Sequence, residues 1–148
     1  MTLLRSLRRT LWLPALLACN STSRQITEPV VALLPGVLEL DGRPVDIKTP
    51  TTASVGVPIT LAFYTVGGGC TRTGPTSASV DGLVAVIQPF DSVVTELPPN
   101  WGCPMDLRGL EHTATVRFAS AGTATVQVLG RREPGDSALI IERTVVIQ

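Results

Sequence analysis

The sequence predicts an all-β protein whose folded part is an antiparallel β-sandwich of seven to nine short strands. Three observations lead to this fold class. Apolar and polar residues alternate with a two-residue period in several runs, which is the pattern of half-buried strands. Gly, Pro and Asp-Gly punctuate these runs at short intervals, as in all-β sandwiches. From residue 30 onward, no segment keeps helical periodicity over three turns.

The first 18 residues have the features of a secretory signal peptide. Basic residues come first, followed by the apolar run Leu11–Ala18. This run is too short to span a bilayer, which requires about 20 residues. The segment therefore predicts export from the cytoplasm.

The segment ends in the letters LLAC at residues 16–19, which resemble the lipobox of bacterial lipoproteins. The resemblance implies that Cys19 is lipidated and becomes the first residue of the mature protein. It also implies outer-membrane rather than inner-membrane anchoring, because Asn20 stands where aspartate would favour inner-membrane retention. The alternative is that Cys19 is a buried thiol in an N-terminal helix. Pro14 opposes that alternative, since a proline inside a helix costs about 3 kcal/mol.

We divide the chain into the signal peptide 1–18, a lipidated cysteine and flexible tether 19–29, and one β-sandwich domain 30–148. The tether is short and polar and ends in proline. Three of the 12 basic residues lie in the signal peptide, which leaves nine against 12 acidic residues. A mildly acidic mature chain has no electrostatic attraction for nucleic acid, so we expect no nucleic-acid partner.

The cysteine count indicates one disulfide bond. An odd number of cysteines in an exported protein requires an explanation. If Cys19 carries the lipid, Cys70 and Cys103 remain and can pair in an oxidising compartment. We expect this bond to join two loops near one end of the sandwich. Two free thiols acting as ligands or nucleophiles are the alternative.

Turn motifs divide the domain into strands. Asp41-Gly42 and Asp81-Gly82 each separate two extended runs, and both predict hairpins because glycine accepts a positive φ. Pro44 cannot donate a ladder hydrogen bond, so its strand is expected at a sheet edge. The letters ASAG at residues 119–122 are of hairpin length and predict a hairpin between the runs on either side.

Two segments resemble the immunoglobulin-like modules of bacterial envelope proteins. They are ASVGVPITLAFYTVG at 53–67 and HTATVRFASAGTATVQVLG at 112–130. The resemblance implies an immunoglobulin-like β-sandwich, with the second segment as its closing hairpin. It implies no particular function.

No catalytic residue, metal site or cofactor is predicted. His112 is the single histidine, and we expect it at the start of a strand with a structural role. One histidine excludes a blue-copper site, and the absence of CxxC spacing disfavours structural zinc. No Gly-x-Ser-x-Gly elbow and no phosphate-binding glycine loop occur.

The loop 96–110 is the most unusual segment and contains the candidate binding residues Trp101, Met105 and Arg108. The sequence favours the alternative that Trp101 only covers the disulfide. Taken together, these features predict a non-catalytic binding or envelope-interaction module. We expect it to be held to the membrane by Cys19, to face the periplasm or the exterior, and to bind a protein or a glycan. The alternative is a secreted hydrolase or accessory enzyme subunit.

Overall fold

A computed structural model describes residues 27–148 of the chain. The signal peptide 1–18, Cys19 and most of the tether lie outside the described residues. Ten strands occur, and no helix is present in residues 27–148. In chain order they are β1 Val30–Pro35, β2 Val37–Leu40, β3 Arg43–Pro44, β4 Thr52–Ala53, β5 Ile59–Gly68, β6 Arg72–Asp81, β7 Val84–Glu96, β8 Leu107–Val116, β9 Gly122–Glu133 and β10 Ser137–Ile147.

Eight strands form the large sheet. Its main path runs β1-β7-β9-β10-β4, with β6 on the other edge of β7 and with β2 and β3 beside β9. The remaining strands, β5 and β8, form an antiparallel pair that makes the small sheet. Within the described segment, no helix is long and apolar enough to cross a membrane.

The two sheets pack face to face around one hydrophobic core. Its largest fully buried apolar side chains are Phe63, Phe118, Leu38, Ile47, Leu61 and Ile87. The residues that alternation assigns to the interior, Phe63, Val116, Phe118, Val126 and Val128, are all buried. Thr115 and Arg117, which alternation assigns to the outside, are exposed. The all-β sandwich predicted from the sequence is therefore confirmed.

The strands differ in detail from the expected short antiparallel set. Six of the ten have ten residues or more, and the two shortest have two residues each. Three pairings are parallel, namely β7 with β9, β2 with β9, and β4 with β10. An immunoglobulin-like fold consists of two antiparallel sheets. The three parallel pairings depart from that pattern, so the immunoglobulin-like topology stays a prediction.

Both Asp-Gly turns form hairpins, but the two residues of the hairpin loop differ in their position relative to the Asp-Gly pair. Asp41 and Gly42 both have positive φ, of 49° and 75°, as a type I′ turn requires. In the second hairpin Asp81 pairs with Val84, so the loop is Gly82-Leu83 and only its first residue has positive φ. The edge position of Pro44 is confirmed, because β3 pairs with β2 alone.

The hairpin predicted around residues 119–122 is wrong. β8 belongs to the small sheet and β9 to the large one, so the connection at 117–121 crosses between the sheets. Phe118 lies in this crossing, is 1 % exposed, and accepts a hydrogen bond at its carbonyl from the Gly56 amide. The hairpin that closes the domain is instead β9–β10.

Candidate functional site

The disulfide between Cys70 and Cys103 is present, with Cα atoms 5.2 Å apart. It joins the turn after β5 to the loop 97–106 between β7 and β8, which confirms the predicted loop-to-loop position. The two cysteines are 33 positions apart, and closing a loop of this size stabilises a fold by roughly 3–4 kcal/mol in the chain-entropy description.

Asp106 adds a second connection beside the disulfide. Its Oδ1 accepts a hydrogen bond from the Gly69 amide at 2.9 Å, and its Oδ2 lies 2.9 Å from the Arg108 guanidinium. The Gly69 hydrogen bond, followed by the charge of Arg108, lowers the pKa of Asp106 below its ordinary value of 3.8. Because the pKa is lowered, the contacts of the Asp106 carboxylate with Gly69 and Arg108 are present at neutral pH. They are lost as the pH falls through that pKa.

The three candidate binding residues of this loop are all at the surface. Trp101 is 60 % exposed and Met105 is fully exposed. Arg108 differs from them, because its guanidinium is held by Asp106 and donates to the Gly69 carbonyl at 3.1 Å. Its charge is thus already balanced within the loop.

A buried polar cluster, which the sequence did not predict, lies between the sheets. It consists of Thr65 on β5, Thr76 on β6, Asp91 on β7 and His112 on β8. We expected His112 at the start of a strand, and this is wrong. It is the sixth residue of β8 and is 2 % exposed. Its ring stacks on Phe63, its cross-strand partner, with centroids 5.9 Å apart.

Hydrogen bonds satisfy both nitrogens of His112. Nε2 lies 3.0 Å from Asp91 Oδ1 and 3.2 Å from Thr65 Oγ1, while Nδ1 lies 2.8 Å from Thr76 Oγ1. A carboxylate oxygen accepts, so Nε2 carries the proton that points toward Asp91. In the neutral ring Nδ1 then accepts from the Thr76 hydroxyl.

The cluster contains a hydroxyl, an imidazole and a carboxylate, as hydrolytic triads do, but its geometry differs. In a serine-protease triad the carboxylate bonds Nδ1 and the nucleophile bonds Nε2. Here the carboxylate bonds Nε2. The His112 side chain also has no solvent exposure, whereas a general base must come within hydrogen-bond reach of its substrate. The arrangement therefore fits a satisfied polar core, in which every partner is paired.

A concave surface forms where two parallel strands separate. β7 and β9 pair from Val84 to Ile87 on β7 and then diverge. Beyond this point β1 pairs with β7, and β2 pairs with β9. We call the gap between the diverging strands the fork.

Gly36 closes the base of the fork. Its amide donates to the Pro89 carbonyl at 2.9 Å, and its carbonyl accepts from the Arg131 amide at 3.0 Å, so it bonds one residue on each arm. A Cβ at Gly36 would lie 2.4 Å from Thr65 Cγ2, and one at Gly130 would lie 2.5 Å from the Gly36 carbonyl oxygen. Both positions therefore require glycine.

The fork opens into a cleft of about 350 Å³, which we call the fork cleft. Its lining is mostly aliphatic: Leu34, Pro35, Leu129, Ala138, Leu139 and Ile140. Gln88, Arg131 and Asp136 supply its polar side chains. Sequence reasoning missed this cleft, because it arises from a parallel pairing between strands far apart in the chain.

Arg131 is fixed at the rim of the fork cleft. Its Nε donates to the Pro35 carbonyl at 2.9 Å, and Nη1 donates to Glu133 and, at 3.0 Å, to Asp136 Oδ1. The guanidinium thus ties β1 to the β9–β10 hairpin. Two carboxylates surround one cation, so the rim carries no free positive charge.

The described residues 27–148 contain no group of three or more His, Cys, Asp or Glu side chains that could hold a metal ion. No protein-family model, no curated protein and no solved structure matches this chain.

Proposed function

We propose that the chain is a non-catalytic binding protein of the bacterial cell envelope, anchored by a lipid on Cys19, whose fork cleft takes a small uncharged apolar molecule. The observation that carries the proposal is the fork cleft itself. Its volume of about 350 Å³ lies within the usual range of ligand pockets. Its mostly aliphatic lining with a few fixed polar groups is also typical of such pockets.

The charge around Arg131 supports an uncharged ligand. An anion would have to displace Glu133 or Asp136 from the guanidinium, whereas a neutral molecule displaces neither. A glycan would need several hydrogen-bond partners, and Gln88 is the one polar side chain of the lining without an ion pair within the described residues. The fork cleft therefore favours an apolar molecule over the protein or glycan that the sequence suggested.

The polar cluster around His112 supports a non-catalytic role over the hydrolase alternative. None of its four residues belongs to the cleft lining, and Thr65 and Asp91 lie behind Gly36 at the base of the fork. Its imidazole is buried and its carboxylate bonds the nitrogen that a nucleophile would use.

The ligand proposal is tested with residues 20–148, which include all ten strands and both disulfide cysteines. The probe is the uncharged fluorophore N-phenyl-1-naphthylamine, whose emission rises in an apolar environment. We expect a saturable rise with the natural sequence and its loss in Ala138→Phe, because the new ring fills the fork cleft. Thr144→Phe is the matched control, on the same face of β10 but outside the lining, and should still bind the probe. Equal emission for the natural sequence and Ala138→Phe would reject the fork cleft as the site.

The anchor is tested by mass spectrometry of the protein purified from its native membrane. We expect cleavage before Cys19 and the mass of added acyl chains on that residue. The Cys19→Ala variant should carry no acyl chain and should leave the membrane fraction or remain uncleaved. An unmodified Cys19 in the native protein would end the lipoprotein interpretation.

A further inference from the structure

Three exposed apolar side chains belong to the connection between β7 and β8 and to the first residue of β8. Trp101 is 60 % exposed, Leu107 is 67 % exposed, and Met105 is fully exposed. We call these three residues the apolar tip. The loop that carries them is stiffened by the Cys70–Cys103 disulfide and by three prolines, Pro98, Pro99 and Pro104.

The apolar tip is at the end of the sandwich where the described chain begins. Val30, the first residue of β1, pairs with Glu96, the last residue of β7. The loop 97–106, which we call the tip loop, starts at the next residue, Leu97, and the chain then returns to the small sheet at Leu107, which pairs with Gly68. Val30, the end of the domain to which the segment from Cys19 connects, is therefore beside the base of the tip loop.

The length of that segment limits how far this end can be from the anchor. Eleven positions separate Cys19 from Val30. Fully extended, they span at most about 40 Å. If the segment is the flexible tether that the sequence predicts, its root-mean-square span is roughly 20 Å. A lipid on Cys19 would thus hold the apolar tip close to the bilayer, and this proximity raises the effective concentration of any weak contact with it.

We propose that the apolar tip inserts into the surface of the bilayer to which Cys19 is anchored, so that the domain has a fixed end toward the membrane. Tryptophan is enriched at membrane–water interfaces, since its ring is apolar and its N–H can bond to water or headgroups. Met105 and Leu107 add apolar area that water would otherwise cover. The inference rests on the anchoring proposed above.

The charges around the tip specify the kind of bilayer. Asp106 and Arg108 neutralise each other at 2.9 Å, and Glu96 at the base is exposed. Arg72 is a further exposed cation two positions from Cys70, and it is not the cluster of about four to eight basic residues that recognises anionic lipid. We therefore expect insertion into zwitterionic phosphatidylcholine.

The test uses the protein purified from its native membrane, in which the expected cleavage before Cys19 removes Trp12, and Trp12→Phe covers any uncleaved chain, so that Trp101 is the only tryptophan. The protein is reconstituted with phosphatidylcholine vesicles whose acyl chains are brominated or unbrominated, and vesicle flotation is measured with Trp101 emission. We expect the protein to float and the brominated chains to quench Trp101. The variant Met105→Gln/Leu107→Gln should float equally but lose most of the quenching.

The matched control is Val80→Gln/Val84→Gln. These valines are 38 % and 40 % exposed and lie at the β6–β7 hairpin, at the far end of β7. The strand between Val84 and Glu96 is about 40 Å long, so this control should leave quenching unchanged.

The possible results separate the insertion from the anchor. Protein that floats with unquenched Trp101 overturns the insertion and leaves the anchoring intact. Protein that neither floats nor shows quenching overturns both. Protein that fails to float but is quenched at higher lipid concentration supports the insertion and rejects the anchor. If Trp101 is shielded from acrylamide in native membranes but unquenched by brominated vesicles, the tip binds an envelope protein and the bilayer proposal is wrong.

Discussion

Phe118→Ala is expected to lower the free energy of unfolding by about 4 kcal/mol, because phenylalanine truncation in a core costs roughly 3–5 kcal/mol. Phe118 is 1 % exposed and lies where the chain crosses from the small sheet to the large one. Its removal leaves a cavity between the two sheets. Urea unfolding followed by circular dichroism measures the loss.

Tyr64→Ala is the control for this change. It also removes an aromatic ring, but Tyr64 is 52 % exposed, so we expect a loss well under about 1 kcal/mol. Similar losses for the two variants would mean that the crossing at 117–121 is not packed between the sheets.

Asp91→Ala is expected to cost roughly 3–5 kcal/mol, since removing one partner of a buried ionic or charge-assisted pair leaves the other without compensation. Asp91 is 2 % exposed and His112 Nε2 would keep only the longer contact to Thr65 at 3.2 Å. The loss is measured as the change in the urea midpoint at neutral pH.

Asp91→Asn provides the comparison. Its amide oxygen has the same position and can accept from His112 Nε2, so this variant should lose much less stability than Asp91→Ala. If Asp91→Ala unfolds within about 1 kcal/mol of the natural sequence, the buried pair of Asp91 and His112 does not stabilise the fold.

Local sequence patterns predicted the fold class and most of the core. The alternation around Phe63 and Val126 directly encodes which side chains point inward, because successive residues of a strand face opposite sides. The Asp-Gly pairs encode turns for an equally local reason, the positive φ that glycine permits. These features need no knowledge of distant contacts.

The pairing of strands depends on contacts between residues far apart in the chain. The fork exists because β7 pairs in parallel with β9, about 40 residues later, and Gly36 bonds both arms. No local motif indicates a parallel pairing of this kind. The wrong hairpin at 119–122 has the same origin, since the length of a connection does not show whether it stays in one sheet.

The polar cluster was missed for a related reason. Asp91 and His112 are 21 positions apart and Thr65 is 47 positions from His112, so sequence proximity gave no signal. One signal was present: Thr65 lies on the buried phase of an alternating run, with Leu61 and Phe63. A polar residue on that phase requires a buried partner.

The disulfide was predictable because it depends on a count rather than on geometry. With Cys19 assigned to the lipid, Cys70 and Cys103 were the remaining pair, and the structure joins them. The high exposure of Trp101 and Met105 was not predictable, because it depends on how the loop folds around that bond.

Binding of a small uncharged apolar molecule in the fork cleft can be followed residue by residue. The most direct measurement is an NMR titration of residues 20–148 with N-phenyl-1-naphthylamine, followed at the backbone amides. We predict saturable shifts that centre on Leu129, Arg131 and Ile140 and leave His112 unchanged. Shifts confined to Trp101 and Met105, or no saturable shift at any amide, would contradict binding in the fork cleft.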